Sequence, residues 1–449
     1  MTIIALQFDL SIPSRPAGTV RDLALLRNRG DLNVVFILVD ALRADRMSLY
    51  GYGRPTTPVI DELANRGIVF ERVIAQSSWT KTSMASLWTG TYPATHGVLR
   101  FDHAIPQEAT LPAEIFKAAG YRTVGIWRNG WVAPNFGFGQ GFDTYYTPKA
   151  GADAQLQRHS PGAASIGGTD EDVLVAARDF LETFGREKFL LYLHLMDLHQ
   201  YVFDDDADDF GPTYSDAYDK SIDWTDRVIG ALVDALDAAG VLPRTLIAIS
   251  SDHGEAFLEH GREGHAYDLY REVVEVPYLI IPPLILDRGI RVEQAIASVD
   301  IWPTLLDLVG LPPLPGADGR SMLPLVLAAG GASDASAAVE STRAVVSHLD
   351  RHWGGRGEAR EWVALTDADA RLIVPAGRPD SAEFYDWRTD PREAKNRAAE
   401  DPPQLQPMLE RIDRYRRDSA PPWGVESPRI EVDELRLNQL RALGYRVGS

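Results

Sequence analysis

Residues 33–39 read NVVFILV, and Asp40 follows. A run that is apolar at six consecutive positions, 34–39, and rich in β-branched residues fits a strand buried on both faces, as in a parallel sheet. Runs of the same kind recur in KFLLYLHLMD (188–197) and TLIAISS (245–251). Helical patterns lie between them: TTPVIDELANRG (56–67), starting near Pro58 and stopping at Gly67, PAEIFKAAG (112–120), DEDVLVAARDFLETF (170–184) and SDAYDKSIDWTDRVIGALVDALDAAG (215–240). This alternation predicts an α/β fold with a mostly parallel central sheet sandwiched by helices. Such sheets carry their sites beyond the carboxyl ends of the strands. Asp40, Asp197 and Asp252 all fall there.

The pattern changes after about residue 325. LAAGGASDASAAVEST (327–342) reads as a small-residue linker. RAVVSHL (343–349), EWVALTD (361–367) and ARLIVPA (370–376) read as short antiparallel strands, followed by a charged helix within DPPQLQPMLERIDRYRRD (401–418). The expected organisation is an N-terminal extension over 1–30, a catalytic α/β domain over 31–328 and a smaller C-terminal α+β subdomain over 341–449.

Composition narrows the function. With 449 residues and 45% hydrophobic content the chain can bury a large core. The net charge of −19 argues against nucleic acid and anionic membranes as partners, but not against a small anionic substrate held by a metal. The absence of cysteine excludes disulfides, thiolate metal sites and a catalytic thiol. No apolar run is long enough to span a bilayer, and MTIIALQFDLSIPSRPAG lacks the basic lead of a signal peptide, so a cytoplasmic location without a membrane anchor is expected. Oligomeric state is not legible.

Three stretches could carry chemistry. Asp40 leaves a buried strand, where a carboxylate either caps the next helix or binds a ligand. In SSWTKTSMASLWTGTYPATHG (77–97), Thr80 or Thr82 is either a helix cap or a hydroxyl at an anion-binding helix N-terminus. In SSDHGEAFLEHGREGH (250–265), an Asp-His pair ends a buried strand, Gly254 permits the turn, and His260 and His265 follow on a glycine-rich loop. Carboxylate oxygens with one imidazole suit a divalent cation such as zinc or manganese.

These stretches resemble the sulfatase family of the alkaline phosphatase superfamily, almost end to end. Residues 33–80 resemble its opening strand, first metal ligand and first helix, and SMASLWTGTYPATHG (83–97) the helix behind its nucleophile. SSDHGE (250–255) resembles its second ligand pair, and SVDIWPTLLDLVGLPPLPGADGRSMLPLV (298–326) the segment closing its main domain. EFYDWRTDPREAKNRAAEDP (383–402) and LNQLRALGYR (437–446) resemble its C-terminal signature. The resemblance implies that Asp40, Thr80, Asp252 and His253 bind a divalent metal, zinc or manganese before calcium. It implies Thr80 as nucleophile and His265 and His199 at the substrate or leaving group; the family's arginine is missing, and the nearby Lys81 is the candidate to replace it as a substrate contact. A second cation through Asp197, His199 or His265 would match two-metal relatives; His194 lies in the same stretch as His199, and His260 reads as a surface or supporting residue.

The chain departs from the usual sulfatase pattern. Where the family oxidises Cys or Ser to formylglycine and follows with Pro, Ser and Arg, this sequence has Thr80-Lys81-Thr82-Ser83-Met84. A secondary alcohol cannot give an aldehyde, so formylglycine is not expected. Asp40-Ala41 replaces paired aspartates, and Asp-His replaces Asp-Asn. The set resembles the single-metal site of phosphoethanolamine transferases and related phosphodiesterases, in which a metal-bound threonine takes a phosphoryl group. Cleavage of a phosphodiester, phosphonate or related ester is therefore expected, with water as acceptor. A sulfuric ester hydrolase working without formylglycine and a non-catalytic ligand-binding relative are the alternatives.

Overall fold

The computed structural model describes residues 15–151, 157–158, 168–332, 343–350, 361–375 and 378–432. Most of the linker and the LNQLRALGYR stretch lie outside the described residues.

The continuous apolar runs become the middle of a nine-stranded mixed sheet. Strand β1 (Asn33–Val39) is fully buried, and its side chains alternate between two cores. Helix α1 (Pro58–Ala64) precedes β2 (Ile68–Ile74), and helix α2 (Thr80–Thr89) follows it. Helix α3 (Pro112–Ala118) leads into β3 (Arg122–Ile126), and β4 (Thr144–Tyr146) forms one edge. Helix α4 (Asp170–Phe184) precedes β5 (Phe189–Leu195), and α5 (Tyr214–Ala238) precedes β6 (Thr245–Ser250). Strand β7 (Glu275–Ile281) runs antiparallel between β6 and β2, and β8 (Ile290–Val292) and β9 (Ile296–Ala297) both pair with β2 in parallel.

Register places the site. β1 pairs in parallel with β5 on one side and β6 on the other, Leu38 lying opposite both His194 and Ser250. The three strands therefore end at one level, and the polar residues that follow them meet there. Phe36, Tyr192, Trp88 and Trp302 pack in the core on one face. On the other, the apolar stripes of α1, α4 and α5 cover Val35, Ile37 and Val39. Burying one such large side chain stabilises the fold by about 1.5–3 kcal/mol.

Four strands form a separate antiparallel meander: β10 (Val345–Asp350), β11 (Glu361–Asp367), β12 (Ala370–Pro375) and β13 (Glu383–Asp386). Leu405, Met408 and Ile412 of helix α6 (Leu405–Asp418) pack in its core. Two of the contacts by which this unit braces the main domain lie near the strand ends. His348 N donates to Gln76 O at 2.8 Å, and Ser347 Oγ donates to Ala75 O at 2.7 Å, just ahead of Thr80. Glu393, buried and at φ +51°, accepts from Arg271 N at 2.8 Å through its carboxylate and meets His260 Nε2 at 3.1 Å through its carbonyl.

His260 is thus a link between the two units rather than a surface residue. Burial disfavours its charge, but the 2.7 Å bond to Glu272 outweighs burial and pushes its pKa from 6.5 to about 9. A raised pKa contributes stability that is complete below the ordinary value and is lost as pH rises through the folded value. Unfolding free energy should fall by about 1–3 kcal/mol between pH 6.5 and about 9 through this group. Urea titrations should show that slope in the native chain and its reduction in His260→Gln.

Candidate metal centre and active site

The strand ends converge as the register requires. Asp40, Thr80, Asn129, His194, Asp252 and His253 are all 0% exposed. Asp40, Asp252 and His253 each offer a ligand atom, all within 4.8 Å of one another. Asp40 does not cap a helix. Its Oδ2 accepts from Asn129 Nδ2 at 2.6 Å and lies 3.1 Å from His194 Nε2, while its Oδ1 is buried with no hydrogen-bond partner. Asp252 repeats the arrangement: Oδ1 accepts from His253 N at 3.0 Å and Ala41 N at 3.3 Å, and Oδ2 is buried and unpartnered. His253 Nδ1 lies 3.0 Å from Gly254 O, the only role for a ring N–H there, which leaves Nε2 with its lone pair as an acceptor, toward Thr80 Oγ1.

Those free atoms face each other. His253 Nε2 lies 3.7 Å from Asp40 Oδ1, 3.4 Å from Asp252 Oδ2 and 3.0 Å from Thr80 Oγ1. Donors around one ion at roughly 2.0–2.2 Å stand about 3.0–3.6 Å apart, so the set fits a divalent cation. Electrostatics agree. Burial pushes Asp252 up, the adjacent Asp40 charge adding to it. Burial also works against Asp40, but the histidines around it, His199 first, hold it below the usual carboxylate range. A divalent cation would satisfy both bare buried carboxylate oxygens at once.

Thr80 is the first residue of α2 and not its cap; Trp79 holds the cap position, and its side chain does not cap the helix. Thr82 Oγ1 instead donates to Val98 O, and Ser83 Oγ to Asp252 O, tying the helix to the ligand loop. Lys81 is not brought to the cluster. One residue along the helix its side chain turns about 100° away. Its ammonium donates to Phe101 O at 2.7 Å and lies 3.5 Å from the Phe136 ring centre.

His265 is brought close. Its ring stacks on His253 with centres 4.2 Å apart, and Nδ1 lies 3.0 Å from Glu255 Oε2. The loop is pinned beside Thr80, since Ala266 N donates to Ser78 O and Ser78 Oγ to Asp268 O. His199 lies edge-on to His265 with ring centres 4.9 Å apart, and its Nε2 is buried without a partner among the described residues. Asp197 is engaged elsewhere: it accepts from Arg128 at 2.6 Å, Trp224 Nε1 at 2.9 Å and Asp170 N at 2.8 Å, so it is not available to a second cation.

Backbone strain marks the same places. Ala41 (φ +64°) follows Asp40, Ala266 (φ +59°) follows His265, and Tyr201 (φ +53°) stands two residues after His199. Positive φ is costly for such residues and persists where surrounding structure enforces it. Gly254 differs from its expected role. Its φ is not positive; a Cβ there would lie 2.1 Å from Glu272 O and 3.0 Å from Arg43 Cγ. The glycine serves close approach of the ligand loop to the 271–274 segment. Gly254→Ala should destabilise the fold by about 1–3 kcal/mol, read as a lowered melting temperature together with weakened metal binding.

Two polar residues at the site escaped sequence reading. Asn129 follows β3 and reaches Asp40, with Nδ2 also 3.5 Å from Thr80 Oγ1. Glu255 is buried, and burial raises its pKa to about 7. The signal for both was position just beyond a sheet strand's carboxyl end.

Comparison with known proteins agrees with this arrangement. A family model described as Sulfatase matches residues 32–311. The chain is 27% identical over 331 residues to an ulvan-active sulfatase of Formosa agariphila, covering 66% of this chain and 65% of that protein, just under two thirds of its length. The phosphonate monoester hydrolase of Agrobacterium radiobacter shares its fold, with a TM-score of 0.69 at 20% identity over 86% of this chain and 96% of that one. A 2-O GAG sulfatase does so with a TM-score of 0.69 at 18% identity over 93% and 97%. With more than half its length matched by the family model, the chain belongs to the sulfatase family.

Proposed function

We propose that this chain hydrolyses a small anionic ester, a phosphodiester or phosphonate first, with Thr80 as nucleophile. The observation that carries the proposal is the Thr80 hydroxyl 3.0 Å from His253 Nε2, at the start of a buried helix and beside the bare oxygens of Asp40 and Asp252. Asp40, Thr80, Asp252 and His253 would hold the divalent cation. Bound there, the cation lowers the pKa of a hydroxyl and offsets the charge of the attacked ester.

The chain's own residues do the rest. Thr80 Oγ1, its proton already released to solvent, bonds to phosphorus as the bond to the leaving oxygen breaks. Backbone N–H groups of the first turn of α2 face the anion, and Asn129 Nδ2 stands beside the attacking oxygen. His265, oriented by Glu255, holds an ester oxygen. His199, with Nε2 uncommitted, protonates the departing oxygen. It then takes a proton from the water that attacks phosphorus, and Thr80 Oγ1 leaves with its bonding pair, restoring the site.

Phosphorus is favoured because threonine cannot become formylglycine, the group that releases a sulfated enzyme by collapse of its hydrate. Sequence similarity to the ulvan-active sulfatase supports sulfate as a second reading. Parallel rates on p-nitrophenyl sulfate, a bis-aryl phosphodiester and an aryl phosphonate, with metal-reconstituted protein, test the choice. Faster turnover of the phosphorus esters is expected; a preference for sulfate would reverse the assignment.

A further inference from the structure

We propose that His194, held by Tyr192, is a positioning residue that makes Asp40 a one-oxygen ligand, and so sets both metal affinity and the preference for small cations over calcium. The inference rests on the metal reading of the site. It begins from an anomaly in β5: an imidazole, 0% exposed, inside the apolar run FLLYLHL. A buried polar ring is costly unless its nitrogens are hydrogen-bonded. Both are. Nε2 lies 3.1 Å from Asp40 Oδ2, and Nδ1 lies 2.8 Å from the Tyr192 hydroxyl.

Asp40 as a carboxylate only accepts, so His194 Nε2 carries the proton and Nδ1 accepts from Tyr192. The tautomer is thereby fixed, and so is the direction of the chain Tyr192 to His194 to Asp40. Tyr192 is itself immobilised: its ring is fully buried, stacked on Phe36 at 6.1 Å and edge-on to Trp88 at 5.0 Å. The aromatic core under the sheet thus determines where the Asp40 carboxylate points.

The consequence concerns which oxygen is available. Asp40 Oδ2 already meets two side-chain donors, His194 and Asn129, and only Oδ1 is bare. Backbone N–H groups treat Asp252 in the same way, leaving only Oδ2. Two single oxygens, one imidazole nitrogen and one hydroxyl make a four-donor set. Zinc and manganese accept such ligands, whereas calcium takes six to eight oxygens and commonly both oxygens of a carboxylate. Removing His194 frees Oδ2 and loosens both affinity and selectivity.

Metal-stripped full-length protein, titrated with Zn²⁺, Mn²⁺ and Ca²⁺ against a chromophoric chelator, tests this in the native chain, His194→Leu, His194→Gln and Tyr192→Phe. His194→Leu should bind Zn²⁺ about 10–100-fold more weakly and show a narrowed zinc-over-calcium ratio. His194→Gln, whose amide can still donate, should recover most of the loss. Tyr192→Phe, which keeps the ring and loses only the hydroxyl, should weaken binding several-fold. If the native chain binds none of the three ions, the metal reading itself fails. If it binds and folded His194→Leu matches it within about twofold, the positioning role is overturned. Should His194→Leu not fold, unchanged affinity in Tyr192→Phe overturns it equally.

Discussion

Thr80→Ala is expected to lower kcat on phosphorus esters by on the order of 10⁴–10⁶-fold, the scale on which removing a covalent nucleophile acts. The substitution removes one oxygen and one methyl from a residue already at a helix N-terminus, where alanine is well tolerated. Folding should therefore survive, and metal binding should weaken only by the loss of one of four donors. KM should change little, because the anion would still meet the helix N-terminus, Asn129 and His265. Thr80→Ser separates chemistry from packing. It keeps a hydroxyl at the same place and should retain activity within about 100-fold of the native chain. Steady-state rates on an aryl phosphodiester, with melting curves for each variant, check both expectations. Equal activity in Thr80→Ala would remove threonine from the mechanism.

The second large effect lies at Asp252 and has opposite signs with and without metal. In the metal-free chain Asp40 Oδ1 and Asp252 Oδ2 are both buried, unpartnered and turned toward the same nitrogen. Asp252→Asn removes one charge, keeps a carbonyl oxygen for the N–H groups of Ala41 and His253, and gives Asp40 a donor. Metal-free Asp252→Asn should therefore be more stable than the metal-free native chain, by about 1–3 kcal/mol. With metal the order reverses. A cation at 100 times its dissociation constant stabilises the native chain by about 2.7 kcal/mol, and the variant forgoes most of that along with its activity. Thermal melts with and without a chelator, before and after metal is restored, should show this crossover. A variant less stable in both states would mean that the two carboxylates do not repel across an ion site.

The sequence carried the scaffold further than the site. The runs at 33–39 and 245–250 announced buried parallel strands because their interiors, 34–39 and 246–249, are continuously apolar, and both strands are fully buried. Asp40, Asp252 and His253 were legible because they leave those strands at the end where α/β sheets place their sites. Asn129 was not, and His194 was named without its partner. Asn129 lies 89 residues from Asp40 and His194 154, so their pairing is set by strand register and not by local spacing. Lys81 illustrates the converse: adjacency to Thr80 suggested a substrate contact, yet neighbours on a helix point in different directions. Gly254 was read as a turn residue, whereas the Glu272 carbonyl packed against it is what excludes a side chain. Close approach between distant segments has no local signature.

The most direct test of the central claim is rapid quenching of a single turnover on an aryl phosphodiester or phosphonate, followed by mass analysis of the peptide containing Thr80. The account predicts a transient adduct, the phosphoryl remnant of the substrate on Thr80, appearing as the aryl alcohol is released and absent from Thr80→Ala. Release of the alcohol with no adduct, and with turnover preserved in Thr80→Ala, would contradict it and leave water as the direct attacking group.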